Sequence, residues 1–350
     1  MTDPAEIAAA HAGTLVLDTH VDIPWPDPPH PATATRRQVD YGKMRAGGMN
    51  AAVYIAYVRQ GPLTDEGRAT AADKALRMLR TIAAQADGAP AGAVFCRDAA
   101  GLEAAFAGRA EAGSAGGRTA ILAAVENGYA MGRDLTRIAD WKALGAIYLT
   151  LTHDGHNDLA DSARPRADLD DPVALHGGLS PLGRAAVREL NRVGMLVDVS
   201  HASRDAMLQA AELSRSPVVA THTGCGALCA HPRNLDDGQL DALRAVGGLV
   251  QITAVPAFLR ATPDGQRAVA AVRDYCDHVD HAVRRIGVEH VGLSSDFDGG
   301  GGLSDWMDAA QTANVSAELL RRGYSRTELR LLWSGNFLRL MRIAAAVARA

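Results

Sequence analysis

The chain has 350 residues, of which 47% are hydrophobic and 22% charged, with a formal net charge of -4; that is enough to bury a full core, in a composition ordinary for one globular domain. The slightly acidic balance gives no reason to expect nucleic acid or an anionic membrane surface as partner. No run of about 20 apolar residues is present to span a bilayer, the first residues lack the basic start and apolar core of a secretory signal, and Arg342 and Arg349 interrupt the apolar run that a C-terminal lipid anchor would need, so a cytoplasmic location is expected.

Taken in order, the chain alternates apolar runs of strand length with segments of helical period. Leu15 to Asp22 reads as the first strand, followed by a loop from Pro24 to Pro31 that is too proline-dense for regular structure. Ala51 to Val58 is the second, and a helix from Asp65 to Ala86 carries Leu76, Leu79 and Ile82 on one stripe. A short extra strand at Ala93 to Cys96 precedes a helix from Ala99 to Glu111. Ala120 to Val125 and Ala146 to Leu151 are the third and fourth main strands, separated by a helix near Leu135 to Leu144. The polar segment from Gly155 to Gly178 reads as a long loop, and Ser180-Pro181 opens a helix to Val193 as N-cap and first-turn residue. Met195 to Val199, Pro217 to Ala220, Gly248 to Thr253 and His290 to Leu293 complete the strands. Between them lie helices capped by Ser203, over Asp236 to Val246 and over Gln266 to Ile286; two more close the chain, Asp308 to Arg322 and Thr327 to Ala348.

Eight strands with helices between most of them predict one (β/α)8 barrel over residues 1–350. An open doubly wound sheet is the structural alternative; no Gly-x-Gly-x-x-Gly follows the first strand, and polar residues end strands all round the chain, both of which count against it. In a barrel, chemistry sits where the strands end at their C-terminal face. His20, Asp22, Glu126, His153, His201, His222 and Asp296 each fall at or just after the end of an apolar strand. His20 and Asp22 are two residues apart, so an extended chain would turn both to one side. Any one strand-end histidine reads as a hydrogen-bonded loop residue; the same accident at the ends of six strands of one barrel does not. Three histidines and two carboxylates exceed what one tetrahedral zinc with an open water position needs, and they suit two ions sharing a carboxylate, with Glu126 as the candidate bridge. Asp296, beside the first strand once the barrel closes, is the candidate proton acceptor.

These residues resemble the zinc-dependent membrane (renal) dipeptidases and their bacterial relatives. The resemblance runs from His20 to about Asn336 and rests on Asp18-Thr19-His20-Val21-Asp22, Val125-Glu126-Asn127-Gly128, Leu149-Thr150-Leu151-Thr152-His153, Asp198-Val199-Ser200-His201, Thr221-His222-Thr223, His231-Pro232-Arg233-Asn234 and Ser295-Asp296-Phe297-Asp298-Gly299. It implies a binuclear Zn2+ site of two ions per chain, with His20 and Asp22 on one ion, His201 and His222 on the other, and Glu126 between. It further implies Asp296 serving the bridging water, His153 at the substrate carbonyl, Arg233 at the substrate's free carboxylate, a small dipeptide as substrate, and a homodimer. The expected reaction is hydrolysis of a dipeptide, including one with a D-residue at its C-terminal position, by a zinc-bridged hydroxide.

Some positions depart from the family pattern. Asn127 follows the bridging glutamate where many relatives have glycine, Ala160 stands where cysteine is common, and the seventh strand reads Gln251-Ile252-Thr253-Ala254-Val255 where many relatives place a substrate-binding aromatic residue. The run Gly299 to Gly302 reads as a flexible loop ahead of an anion nest, and Cys96, Cys225, Cys229 and Cys276 as reduced, partly buried thiols. Two other functions stay open on the residues alone. One is an amidohydrolase-like barrel acting on a cyclic amide or related substrate, which usually begins with His-x-His; the other is a non-catalytic binding barrel, which loss of a ligand would mark.

Overall fold

The computed structural model describes residues 3–87, 92–111, 118–262, 266 and 268–350. Its strands are β1 (Leu17–Asp22), β2 (Ala51–Tyr57), β3 (Ala93–Phe95), β4 (Thr119–Glu126), β5 (Ala146–Thr150), β6 (Leu196–Asp198), β7 (Val219–Thr223), β8 (Leu249–Ile252) and β9 (Val291–Leu293). Eight of them run parallel in the order β1-β2-β4-β5-β6-β7-β8-β9, each beside its neighbour in sequence as right-handed crossovers require. The extra strand β3 lies beside the lower half of β4, with Ala93 opposite Thr119 and Phe95 opposite Ile121. Strand β5 pairs only with the upper half, from Ala123 to Glu126, so β3 fills the edge that β5 leaves uncovered. The barrel closes through the segment after β9: Asp22 N–H donates to Phe297 O (2.9 Å) and Asp296 N–H to His20 O (3.1 Å).

Side chains alternate along the strands with period two. Ala51, Val53 and Ile55 of β2 join Leu122 and Ala124 of β4 and Leu17, Leu196, Val219 and Leu249 across the barrel in one apolar cluster, which is the barrel interior. Ala52, Tyr54 and Ala56 face the other way, into the layer that holds Met78, Leu79 and Ile82 of the helix Asp65–Asp87. Glu126 continues the inward series of Leu122 and Ala124, so the strand that packs the core also aims its last side chain at the barrel mouth. Phe337, Leu338, Leu340, Met341 and Ala344 of the helix Asn336–Arg349 belong to the interior cluster and plug the opposite end.

The differences from the sequence reading are local. The helix expected from Gln266 begins at Val272, on an N-terminal turn tied by Ala271 N–H to Asp274. The closing helix is divided into Arg326–Arg330, a π-helical turn Leu331–Gly335 and Asn336–Arg349. Asp308 to Arg322 is split into a 3-10 turn Ala309–Gln311 and a helix Ala313–Arg321. Short helices at Pro4–Ala12, Tyr41–Ala46 and Pro256–Leu259 lie in segments to which the sequence reading assigns no element. The long polar loop after β5 is pinned by two of its aspartates: Asp161 accepts from the N–H groups of Leu175, His176 and Gly178, and Asp171 from those of His156 and Arg166. Among the described residues no helix is long and apolar enough to cross a membrane.

Candidate metal centre

The strand ends bring the expected residues to one place. His20 Nε2 lies 3.7 Å from Glu126 Oε2 and 4.0 Å from Asp296 Oδ1. His201 Nε2 and His222 Nε2 lie 3.2 and 3.3 Å from the other oxygen of Glu126, Oε1. His153 stacks beside His201 with ring centroids 4.1 Å apart. A side chain built at Gly299 would meet Asp296 Oδ1 at 2.4 Å and Asp22 Oδ2 at 2.6 Å, so both carboxylates crowd that glycine and only hydrogen fits there. Two triads have ligand atoms within 4.8 Å of one another, His20 with Glu126 and His222, and Glu126 with His153 and His201. Both contain Glu126.

The second layer decides which nitrogen each imidazole presents. Tyr148 donates its hydroxyl proton to Thr19 O (2.9 Å), so its oxygen is left to accept from His20 Nδ1 at 3.0 Å. Thr221 donates to Asp198 Oδ2 (2.7 Å) and accepts from His222 Nδ1 at 2.9 Å. Asp154 Oδ1 accepts from His201 Nδ1 at 3.2 Å. In each neutral ring the proton is thereby fixed on Nδ1 and the lone pair of Nε2 is turned toward Glu126, the arrangement in which histidine binds a metal. Asp198 ties β5, β6 and β7 together, accepting also from Thr150 Oγ1 (2.6 Å) and from the N–H groups of Ser200 and Thr221.

The electrostatics fit a cation. Glu126 Oε1 and Asp22 Oδ1 are buried without a hydrogen-bond partner among the described residues, a costly state for a carboxylate that nothing else offsets. Burial, with Glu126 close by, holds Asp22 well above the usual carboxylate range. Burial likewise pushes Asp296 up to about 7, against the pull of His20 and with the push of Glu126. His20 is the group that compensates: burial works against its charge, yet Glu126 and Asp296 raise it to about 9, and that charge in turn keeps Glu126 well below its ordinary range although burial opposes ionisation there too. A divalent ion would supply the positive charge that His20 otherwise has to furnish. Burial draws His201 and His153 down to about 4 and His222 to about 3, so these three stay neutral.

Two of these positions are held in an uncommon backbone conformation, with φ at +65° for His201 and +60° for Asp296, which for non-glycine residues marks an imposed geometry. At Asp296 the cause is visible: the N–H groups of Gly299, Gly300 and Gly301 all converge on its carbonyl oxygen, and a side chain at Gly301 would lie 2.0 Å from Ser295 O. The glycine run is thus a tight turn that fixes Asp296, not a free loop and not an anion nest. Asn127 has φ +80°, which asparagine tolerates better than most residues, and earns its place by donating to Val58 O (3.0 Å) and accepting from Asn157 (2.9 Å).

Arg233 is buried. Its Nη2 donates to His222 O at 3.2 Å, its guanidinium lies 5.2 Å from the Phe258 ring centroid, and its Nε has no partner among the described residues. Burial lowers it to about 10 in spite of Asp154, Glu126 and Asp296, so it remains a cation. A cavity of about 380 Å³ opens beside His153, lined by Tyr57, Arg59, His153, Asp154, Arg164 and Arg166. Asp154, Tyr148 and Thr221 as orienting groups were not anticipated. Asp154 and Thr221 lie next to histidines in the sequence, whereas Tyr148 sits inside an apolar strand and carries no signal. Asp154→Ala should weaken metal binding roughly 10–100-fold with the fold intact, measured by competition with a chelator. An unchanged affinity would assign Asp154 to holding Arg164, 3.0 Å away, and no more.

Comparisons with known proteins point to one family and fold. The family model for membrane dipeptidases (peptidase family M19) matches residues 5–350. The dipeptidase tcpJ of Claviceps purpurea is 36% identical over 66% of this chain and 52% of its own length; the chain spans about half the length of the curated relatives it matches. The structure of the probable dipeptidase PvdM from Pseudomonas aeruginosa superposes with a TM-score of 0.88 at 26% identity, covering 99% of this chain and 100% of that one. A metallo peptidase from Rhodobacter sphaeroides, solved with a phosphinate mimic of the dipeptide L-Ala-D-Ala, has the same fold, with a TM-score of 0.78 at 24% identity over 95% of this chain and 99% of that one.

Proposed function

We propose that this chain, which belongs to the membrane dipeptidase family (peptidase family M19), hydrolyses dipeptides with two bound divalent ions, zinc in the first instance. The observation that carries the reading is the convergence of three Nε2 atoms on one carboxylate whose inner oxygen is buried and unpartnered among the described residues. His20, Asp22, Glu126, His201 and His222 would hold the ions, with Glu126 shared. When bound, the ions would lower the pKa of a water between them and polarise the scissile carbonyl.

The remaining residues do the rest. Asp296 accepts a proton at its carboxylate and returns it to the departing amine, the two halves of general base and general acid work by one positioned carboxyl. His153, neutral at that pH, donates from its ring to the oxygen that gains charge. Its ring is steadied by Tyr57 at 4.7 Å and His201 at 4.1 Å. Arg233 pairs with the free C-terminal carboxylate of the substrate, with its unpartnered Nε available for a second hydrogen bond. Thr223 Oγ1 donates to the Arg233 carbonyl (2.7 Å), which anchors the loop that carries it.

The test is a screen of L,L- and L,D-dipeptides and their C-terminal amides with the zinc-loaded protein. Free dipeptides should be cleaved and the amides rejected. Arg233→Ala should lower kcat/KM on free dipeptides by at least about 10–100-fold, the size of one charge-assisted pair, with a much smaller loss on amides. Equal losses on both would make Arg233 a loop support. All four cysteines are buried and unpaired by disulfides, which supports a reducing, cytoplasmic setting; a homodimer belongs to the same proposal, and light scattering of the purified chain checks it.

A further inference from the structure

The cavity beside His153 holds more positive charge than its own carboxylates neutralise. Arg164 pairs with Asp154 and Arg166 with Asp168. Arg59, two residues beyond the end of β2 and on the same cavity wall, has no ion pair among the described residues. A second such cation lies against the ring of Tyr57. Lys74, on the helix Asp65–Asp87, is half-buried with its Nζ 5.5 Å from the Tyr57 ring centroid, and it too has no ion pair among the described residues. Burial holds its ammonium below the usual range, and Asp22, a candidate metal ligand, is the one carboxylate that counters this. Tyr57 itself packs on His153 at 4.7 Å. Two cations without a direct ion pair among the described residues therefore lie near the residue that supports the carbonyl-binding histidine, with Asp22 and Asp168 acting on them only at longer range, and neither is the arginine assigned to the substrate's main-chain carboxylate.

Resting on the dipeptidase reading above, we propose that Lys74 and Arg59 form a subsite for a substrate side chain that carries a carboxylate, so that the enzyme favours dipeptides containing Asp or Glu over their neutral isosteres. An acidic side chain supplies the direct ion pair that both cations lack, and it does so partly out of water, where a charge-assisted pair is strong. Arg59 is exposed and acts at the rim, while Lys74 is the buried half of the pair.

The experiment compares kcat/KM of the zinc-loaded full chain for Ala-Glu against Ala-Gln and for Glu-Ala against Gln-Ala, with C-terminal residues of both hands. Each pair keeps shape and main-chain carboxylate fixed and changes only the side-chain charge. Wild type should favour the acid over the amide by about 10-fold or more in at least one pair. That ratio should fall toward one in the double variant Lys74→Met/Arg59→Met and decline with added salt. A wild-type ratio near one, or a ratio that survives the double substitution, overturns the subsite while leaving the dipeptidase reading in place. Failure to cleave any of these dipeptides overturns both.

Discussion

Glu126→Gln should strip the protein of its tightly bound metal and lower kcat/KM by several orders of magnitude while the barrel stays folded. The substitution keeps size and shape at the end of β4 and removes only charge. Yet three imidazoles aim Nε2 at this group, at 3.2, 3.3 and 3.7 Å, and it is the one side chain common to both candidate ligand triads. An amide cannot offset two cations, and its N–H would donate to the Nε2 of His201 or His222 and occupy the lone pair a metal needs. On the proposed assignment, losing a shared ligand would affect both ions, and with them the water they would activate. Elemental analysis and kinetics on one preparation read both effects; a variant that keeps two metal equivalents would remove Glu126 from its bridging role.

Asp296→Asn should do the opposite: leave the metal content near that of wild type and lower kcat by roughly 10²–10⁴, the usual worth of a positioned proton acceptor. Asparagine suits the test because it also tolerates the positive φ that the glycine turn imposes at this position. Hydrogen bonds to the backbone of Asp296, from Gly299, Gly300 and Gly301, are unaffected. The side chain alone changes, from a buried carboxyl raised to about 7 to a group that takes no proton. Loss of metal in this variant would make Asp296 chiefly a ligand, and retained turnover would place the base elsewhere.

The barrel was legible because its signals are repeated. Eight apolar runs, each ending in a polar residue, are hard to arrange otherwise, and the strands fall within a few residues of the expected bounds. The helix boundaries were less legible. At Val272 a local Ala271–Asp274 turn wins over the helical pattern upstream, and at Leu331–Gly335 a π-helical turn interrupts a period that reads as continuous. Strand ends named the inward-facing side chains, since a period of two together with barrel topology puts Glu126 and the histidines at one mouth. What the one-dimensional pattern could not carry is the layer behind them. Tyr148 and Asp198 orient the site across strands that are neighbours only in space. Lys74 reaches the Tyr57 ring from a helix, and Arg59 shares the cavity wall with it from a loop, with no common motif. The glycine run misled for a related reason: its role is set by the single carbonyl it wraps.

Titration of zinc into the chelator-stripped protein, with hydrolysis of a free dipeptide followed at each addition, tests the central claim most directly. The account predicts no turnover without metal, full activity at two zinc ions per chain, and no second-step activity in Glu126→Gln. Turnover in the stripped protein, or full activity at a single equivalent, would contradict it.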